Sequence, residues 1–296
     1  MIVDLMDCDS NTNLNKPPIY KFRIDSPHFD VNFEIKNLIN GNFPHIGISA
    51  REGLLILYKH PIEQVWLNVD ALVKRSNPSI NLSHMVDEGV TYEVMIYGPV
   101  LSELSNLTIS SSSAKHITKI ENKFEHKILF AGGIHSFGIG CTTVGTTFSS
   151  IIGRKMNVEI NNIVFNKPNF LPNLYVELKE LPNNYKVDIC ILEVDYINQN
   201  DEYVEEYLEK IMELLTNISS KVICWFTIPN TKSYKKNKLH DLFENNSFSK
   251  EVLLKDFSYL YDEEFIDRCT FSGKFINDYG NILIFKEFNH ILGGII

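Results

Sequence analysis

A chain of 296 residues is long enough for two compact domains, each with its own buried core. With 44% hydrophobic and 22% charged residues it has the composition of a globular protein. Its net charge of -9 argues against unspecific binding to nucleic acid or to an anionic membrane surface, since both reward Lys and Arg.

The first ~120 residues offer short apolar runs of strand length, at 19–24, 29–35, 45–49, 54–58, 65–69, 90–96 and 107–110. Gly41, Gly53, Pro61, Pro78 and Gly98 punctuate them. No helix-length amphipathic pattern intervenes, which predicts an antiparallel β-sandwich over residues 1–122. The run of serines at 110–113 ends it, and a short connector leads to His126.

From Lys127 the rhythm becomes strand–helix alternation. Strands are predicted at 127–131, 158–165, 187–192 and 222–227, and helices at 146–155, 171–181, 202–215 and 279–288. Continuous apolar strands between helices predict a parallel sheet covered on both faces, over residues 123–296. Ligands of such sheets bind outside the carboxyl ends of the strands. That directs attention to the loops 132–141, 166–173 and 194–200, and to the segment 269–281. Lys232, Lys235, Lys236 and Lys238 form a local basic run, read as a solvated loop.

The N-terminus has Asp4, Asp7 and Asp9 and no cationic start followed by an apolar run, and no stretch approaches the ~18 apolar residues of a membrane span. Cys8, Cys141, Cys190, Cys224 and Cys269 are odd in number and lack a CxxC pair, so neither a disulfide framework nor a zinc site is expected. Cys190 and Cys224 read as small core residues. His28, His45, His84 and His290 show no metal-ligand spacing. A cytoplasmic protein without a cofactor is expected.

Residues 127–155 read KILFAGGIHSFGIGCTTVGTTFSSIIGRK. This resembles the first block of SGNH (GDSL) hydrolases, in which a strand ends in GDS-x-T-x-G with Ser as nucleophile. The ungapped match runs through Gly132, Ser136, Gly138, Gly140, Cys141, Gly153, Arg154 and Lys155. The FRIDSP stretch at 22–27 and GLLILY at 53–58 also look like the subgroup with an N-terminal sandwich, related to carbohydrate esterases. The resemblance implies a jelly-roll-like sandwich followed by a flavodoxin-like α/β/α domain. It further implies which positions should carry chemistry. Ile134 takes the nucleophile position and Gly133 that of the adjacent Asp, and an aliphatic side chain has no hydroxyl to form an acyl-enzyme.

The later blocks depart in the same way. The stretch ending at Asn169, NIVFNKPN, puts Lys167 where the family has the oxyanion-hole Gly, and Pro168 biases Lys167 towards extended angles. The stretch 191–200, ILEVDYINQN, supplies the oxyanion Asn only through a one-residue slip from Ile197 to Asn198. In 272–278, SGKFIND, Ser272 takes the place of the orienting Asp and Phe275 that of the His base, and phenylalanine accepts no proton. The resemblance thus implies a catalytically degenerate member.

The fallback candidates are few. His135 and Ser136 are adjacent in sequence, which rarely makes a dyad, and Ser136 reads as structural. Cys141 lies well beyond the turn and reads as buried. Glu193 and Asp195 face one side of a strand end, as a carboxylate pair or a solvated terminus. Lys167 reads equally as a cation for an anionic ligand or as a surface side chain. Gly133, Lys167, Asn169, Asp195 and Asn198 are the candidate binding residues. Three functions follow: a non-hydrolytic protein binding a partner or a small acylated or carbohydrate ligand; an esterase or acyltransferase with a rewired site; or a structural subunit of a biosynthetic assembly, with homo-oligomers open to any of them. None of the three involves nucleic acid or membrane.

Overall fold

The computed structural model describes residues 1–6, 19–36, 46–73, 78–99, 102–245 and 252–296. The chain divides into two compact units. The first comprises 1–13, 17–123 and 142–145; the second comprises 14–16, 124–141 and 146–296.

The first unit carries β1 (Ile2–Asp4), β2 (Ile19–Ile24), β3 (His28–Lys36), the one-turn helix α1 (Ile48–Glu52), β4 (Gly53–Lys59), β5 (Trp66–Val73), β6 (Ser79–Asn81), β7 (Tyr92–Tyr97), β8 (Glu103–Ser110) and β9 (Ile117–Lys119). They form two antiparallel sheets, ordered β1-β8-β3-β6 and β5-β4-β7-β2-β9. Strand alternation explains the core. Phe22, Ile24, Ile56, Tyr58, Val94 and Ile96 from one sheet meet Phe29, Val31, Leu107 and Ile109 from the other. β4 is buried on both faces, because Leu55 and Leu57 pack with Met95, Tyr97 and Val144 on the side away from that core. Asp25 of the FRIDSP stretch accepts the Lys115 and His116 N–H groups at 3.0 Å each, tying the sheets' connecting loops.

The strand expected at 45–49 is not there. Gly47 opens α1, and His45, like Gly41 and Cys8, lies outside the described residues. Three short strands, β1, β6 and β9, have too few residues to show a period.

The second unit carries β10 (Lys127–Gly132), α2 (Ile134–Phe137), α3 (Phe148–Met156), β11 (Glu159–Val164), α4 (Leu171–Lys179), β12 (Val187–Glu193), α5 (Asp201–Ile218), β13 (Ser219–Phe226), α6 (Ser233–Asn245), β14 (Val252–Asp256), α7 (Ile266–Cys269), the pair β15 (Thr270–Phe271) and β16 (Phe275–Ile276), and α8 (Asp278–Leu292). The parallel sheet has the order β11-β10-β12-β13-β14. That is the flavodoxin-like arrangement, whose strand order reverses between β10 and β12. α5 shows how sequence dictates the layers: Val204, Leu208, Ile211, Met212 and Leu215 recur on one helical face and are all buried. They join Leu171 and Leu174 of α4 over one side of the sheet. Phe148 and Ile152 of α3 join Ile284 and Phe288 of α8 over the other.

Caps and one close approach fix α3 and α8. Thr147 accepts the Ser150 N–H, and Asn277 accepts those of Tyr279 and Gly280. A Cβ on Gly153 would stand 2.8 Å from Ile160 Cγ1, so α3 lies close on β11. Asn281 Oδ1 accepts the Phe148 N–H at 2.9 Å, and the Phe148 and Phe288 rings stack 5.6 Å apart.

The basic run read as a solvated loop is instead helical. Lys235, Lys236 and Lys238 lie on α6, and Lys232 ends a 3-10 turn before it. Lys235 is buried: its ammonium donates to the Tyr196 and Gln199 carbonyls, at 3.0 and 3.3 Å, and lies 4.7 Å from the Tyr196 ring centre. Among the described residues no helix is long and apolar enough to cross a membrane.

Candidate functional site

The carboxyl ends of β10 and β12 flank the reversal of strand order, where a crevice is expected. β10 runs into Gly132 and Gly133, and both must be glycine because neighbours come too close for a side chain. A Cβ on Gly132 would run into Glu193 Cβ, and one on Gly133 would stand 2.7 Å from Phe170 Cε1 and 3.1 Å from Asp195 Oδ2. The chain then turns through α2, which places three backbone N–H groups around one carboxylate. Glu193 Oε2 accepts from Gly133 at 3.2 Å and from Ser136 at 2.6 Å, while Oε1 accepts from His135 at 3.2 Å.

That carboxylate and its neighbour are deeply buried, at 1% exposure for Glu193 and 4% for Asp195. This overturns the reading of a solvated strand end. The three amide donors replace water around Glu193, which is why an acidic residue can end an apolar strand here. Burial pushes Glu193 up to about 8, reinforced by the Asp195 charge and opposed by the Ser136 and His135 bonds. Asp195 is raised to about 6 by burial, against the pull of Asn198 and Lys235. Asn198 Nδ2 donates to both Asp195 oxygens, at 3.0 and 2.9 Å. Its donors are therefore committed to Asp195 rather than aimed at an oxyanion.

Ile134 opens α2 and is partly exposed; Phe275 lies in β16, also partly exposed. Ser272 sits exposed at the β15–β16 turn with a left-handed φ of 56°. Neither Ile134 nor Phe275 offers an atom that exchanges a proton. The Ser136 hydroxyl is buried against the Glu193 carboxyl, close enough to lower its pKa, although no hydrogen bond of good geometry joins them. The His135 imidazole is buried, which lowers its pKa to about 4; its Nδ1 has no partner, and its Nε2 stands 3.4 Å from the Tyr261 hydroxyl.

The other candidates are placed as follows. Cys141 is buried, accepts from Asn281 Nδ2 at 3.2 Å, and has its thiol pushed far above the usual range by burial. Lys167 is exposed, with its ammonium 5.7 Å from the Phe165 ring centre. Asn169, with φ 53°, binds two loops together: its N–H donates to the Asn198 carbonyl at 2.9 Å and its Oδ1 accepts the Asn200 N–H at 2.7 Å. The structure thus groups Gly133, His135, Ser136, Glu193, Asp195, Asn169 and Asn198, and leaves Lys167 at the surface.

Sequence reasoning missed Phe170, Tyr261, Trp225 and Lys235. Tyr261 donates to the Lys274 carbonyl at 2.8 Å as well as facing His135. The Trp225 ring lies 6.4 Å from His135, with its Nε1 buried and unpartnered. Only Trp225 carried a signal, since it pairs with Glu193 in register at the end of a predicted strand. Among the described residues no cluster of His, Cys, Asp and Glu could hold a metal ion.

No family model matches the sequence, and neither does any curated protein. Solved structures do match. A GDSL-like lipase from Bacteroides ovatus superposes with a TM-score of 0.74 at 18% identity, over 94% of this chain and 84% of its own. The salicylyl-acyltransferase SsfX3 from a tetracycline biosynthetic pathway gives 0.59 at 13% identity, over 93% and 82%. A family two carbohydrate esterase from Cellvibrio japonicus gives 0.59 at 11%, over 99% and 95%. At these identities the likeness speaks for architecture alone: the chain has the SGNH hydrolase fold, preceded by an antiparallel sandwich.

Proposed function

We propose that this protein is a non-hydrolytic member of its fold class, which uses the carboxyl end of its parallel sheet to hold a ligand or partner. One observation carries the reading. The buried hydroxyl next to the expected nucleophile position, Ser136 Oγ, makes no hydrogen bond of good geometry to a base, and the carboxyl beside it, Glu193, is already held by three backbone amides. The nearest imidazole, His135, points its Nε2 towards Tyr261 instead. A serine esterase needs a hydroxyl and a base within hydrogen-bond reach. Ile134 and Phe275 supply neither at the positions that the sequence match assigns to them.

The supporting features are those of a scaffold kept intact. Glu193 holds the turn through three amides, Asn198 holds Asp195, and Asn169 joins the two flanking loops. Such a frame presents a fixed surface without doing chemistry on what binds there.

The rival reading is an esterase or acyltransferase with a rewired site. SsfX3 and the carbohydrate esterases act on acyl groups as their names state, and the buried pair Glu193 and Asp195 is raised into the range of proton transfer. Cys141 fits this reading poorly, since a buried thiol held protonated is a weak nucleophile. The test is hydrolysis of p-nitrophenyl acetate by the full chain, beside Ser136→Ala and Asp195→Asn. We expect all three to match the buffer rate. Turnover by the wild type that disappears in either variant overturns the reading.

A further inference from the structure

Beneath the turn after β10, three polar atoms make no hydrogen bond of good geometry among the described residues: Ser136 Oγ, His135 Nδ1 and Trp225 Nε1. Their residues are sealed from solvent, at 3%, 5% and 0% exposure. Buried polar atoms of folded proteins are almost always bonded, to protein or to ordered water. These three share one place. Glu193 continues the alternation of Ile189 and Ile191, so it faces the layer that holds Trp225, its neighbour in register. Ser136 lies against that carboxyl, and the His135 ring centre stands 6.4 Å from that of Trp225.

The protons available define what fits between them. Tyr261 donates its hydroxyl proton to the Lys274 carbonyl at 2.8 Å. With that proton committed, the Tyr261 oxygen only accepts, from His135 Nε2 at 3.4 Å as from Thr227 beside it. The imidazole proton therefore sits on Nε2. Burial keeps the ring neutral, which leaves Nδ1 a bare acceptor. Trp225 Nε1 is a donor only, and it makes no direct bond to His135. The Ser136 hydroxyl turns its proton towards Glu193, so its oxygen is free to accept.

One donor and two acceptors thus converge. A water molecule answers them bond for bond. Its oxygen accepts from Trp225 Nε1, and its two protons go to His135 Nδ1 and Ser136 Oγ. A total of about three bonds is usual for a buried water. No larger guest suits a site whose polar walls are this deeply buried.

We propose that the fold holds one ordered water between Trp225, His135 and Ser136, and that this water makes His135 a positioning residue for the rim of the candidate site. The chain Trp225–water–His135–Tyr261 ends on the Lys274 carbonyl, in the turn between β15 and β16. It ties the hairpin that carries Phe275 to the end of β13. The inference holds whether or not the site hydrolyses anything.

The experiment joins a crystal structure of the full chain to histidine and indole NMR in solution. A density peak is expected within about 3.2 Å of Trp225 Nε1, His135 Nδ1 and Ser136 Oγ. His135 should carry its proton on Nε2, with the nitrogen shift of an unprotonated acceptor at Nδ1. The Trp225 indole N–H, assigned with Trp66→Phe, should show a cross-peak to a long-lived water, and Ser136→Ala should keep that cross-peak because two of the three bonds remain. His135→Leu should speed amide exchange of residues 270–276 by about 5-fold or more, with β10 and β12 unchanged. His135→Gln should restore the slow exchange, since its Nε2 still donates to Tyr261. A dry site in the crystal, a proton on His135 Nδ1, or a direct bond from Trp225 to His135 overturns the water. Exchange at 270–276 that is unmoved by His135→Leu, or not rescued by His135→Gln, overturns the positioning role.

Discussion

Replacing Glu193 by Gln separates the two things asked of that carboxylate: accepting three amides and staying out of water. Burial, with the Asp195 charge beside it, raises its pKa from 4.5 to about 8 in the folded chain. A group whose folded pKa lies above its unfolded one makes the folded state hold more protons between the two values. Its stabilising contribution is therefore complete below about pH 4.5 and is lost as pH rises through 8. Each pH unit inside that window is worth about 1.4 kcal/mol, which gives a loss on the order of 3–5 kcal/mol for the wild type. Gln does not ionise. Its amide oxygen can still accept from Gly133 and Ser136, but its amino group faces the His135 N–H, and forfeiting that bond costs about 1–2 kcal/mol. The wild type should thus be the more stable protein near pH 5, and Glu193→Gln the more stable near pH 8.5. Urea unfolding at several pH values reads this directly. Trp225 is buried in the same cluster as the sheet and reports on this unit alone once Trp66 is replaced by Phe. A stability difference that stays constant from pH 5 to 8.5 would refute the reasoning.

Three further outcomes follow from packing and capping. Gly133→Ala should destabilise by about 1–3 kcal/mol, because its methyl group meets the buried Phe170 ring; thermal unfolding followed at Trp225 checks it. Lys235→Met strands the Tyr196 and Gln199 carbonyls and should cost about 2–4 kcal/mol. Asn277→Ala, which removes the cap of α8, should cost only about 1 kcal/mol. Finally, Cys141, Cys190, Cys224 and Cys269 are all buried, with thiols pushed up by burial. Peptide mapping after alkylation at neutral pH should find the four unmodified until denaturant is added; rapid labelling of Cys141 would contradict its placement.

The sequence carried the fold wherever burial imposes a period. The strand at 187–192 is apolar because both of its faces are covered, and α5 repeats its apolar side chains at helical spacing because only one face is. It failed where burial is local. α6 has one fully buried apolar residue, Leu239, so its pattern looks like loop, and its buried Lys235 is explained by carbonyls that converge from another segment. β14 is an edge strand with no fully buried residue and shows little period. In the site, the motif led to Gly132 and Gly133, where no side chain fits. The burial of Glu193 was not legible, since the three N–H groups that permit it come from a turn some sixty residues earlier. The loop-bridging role of Asn169 and the contact of Tyr261 with His135 are long-range in the same sense.

Intact-protein mass spectrometry after incubation with a fluorophosphonate tests the proposed absence of a nucleophile without requiring a substrate. The unmodified mass should persist in the wild type and equally in Ile134→Ser, since a hydroxyl restored without a base gains no reactivity. A stoichiometric adduct on the wild type that is lost in Ser136→Ala would show that a functioning nucleophile survives at the end of β10.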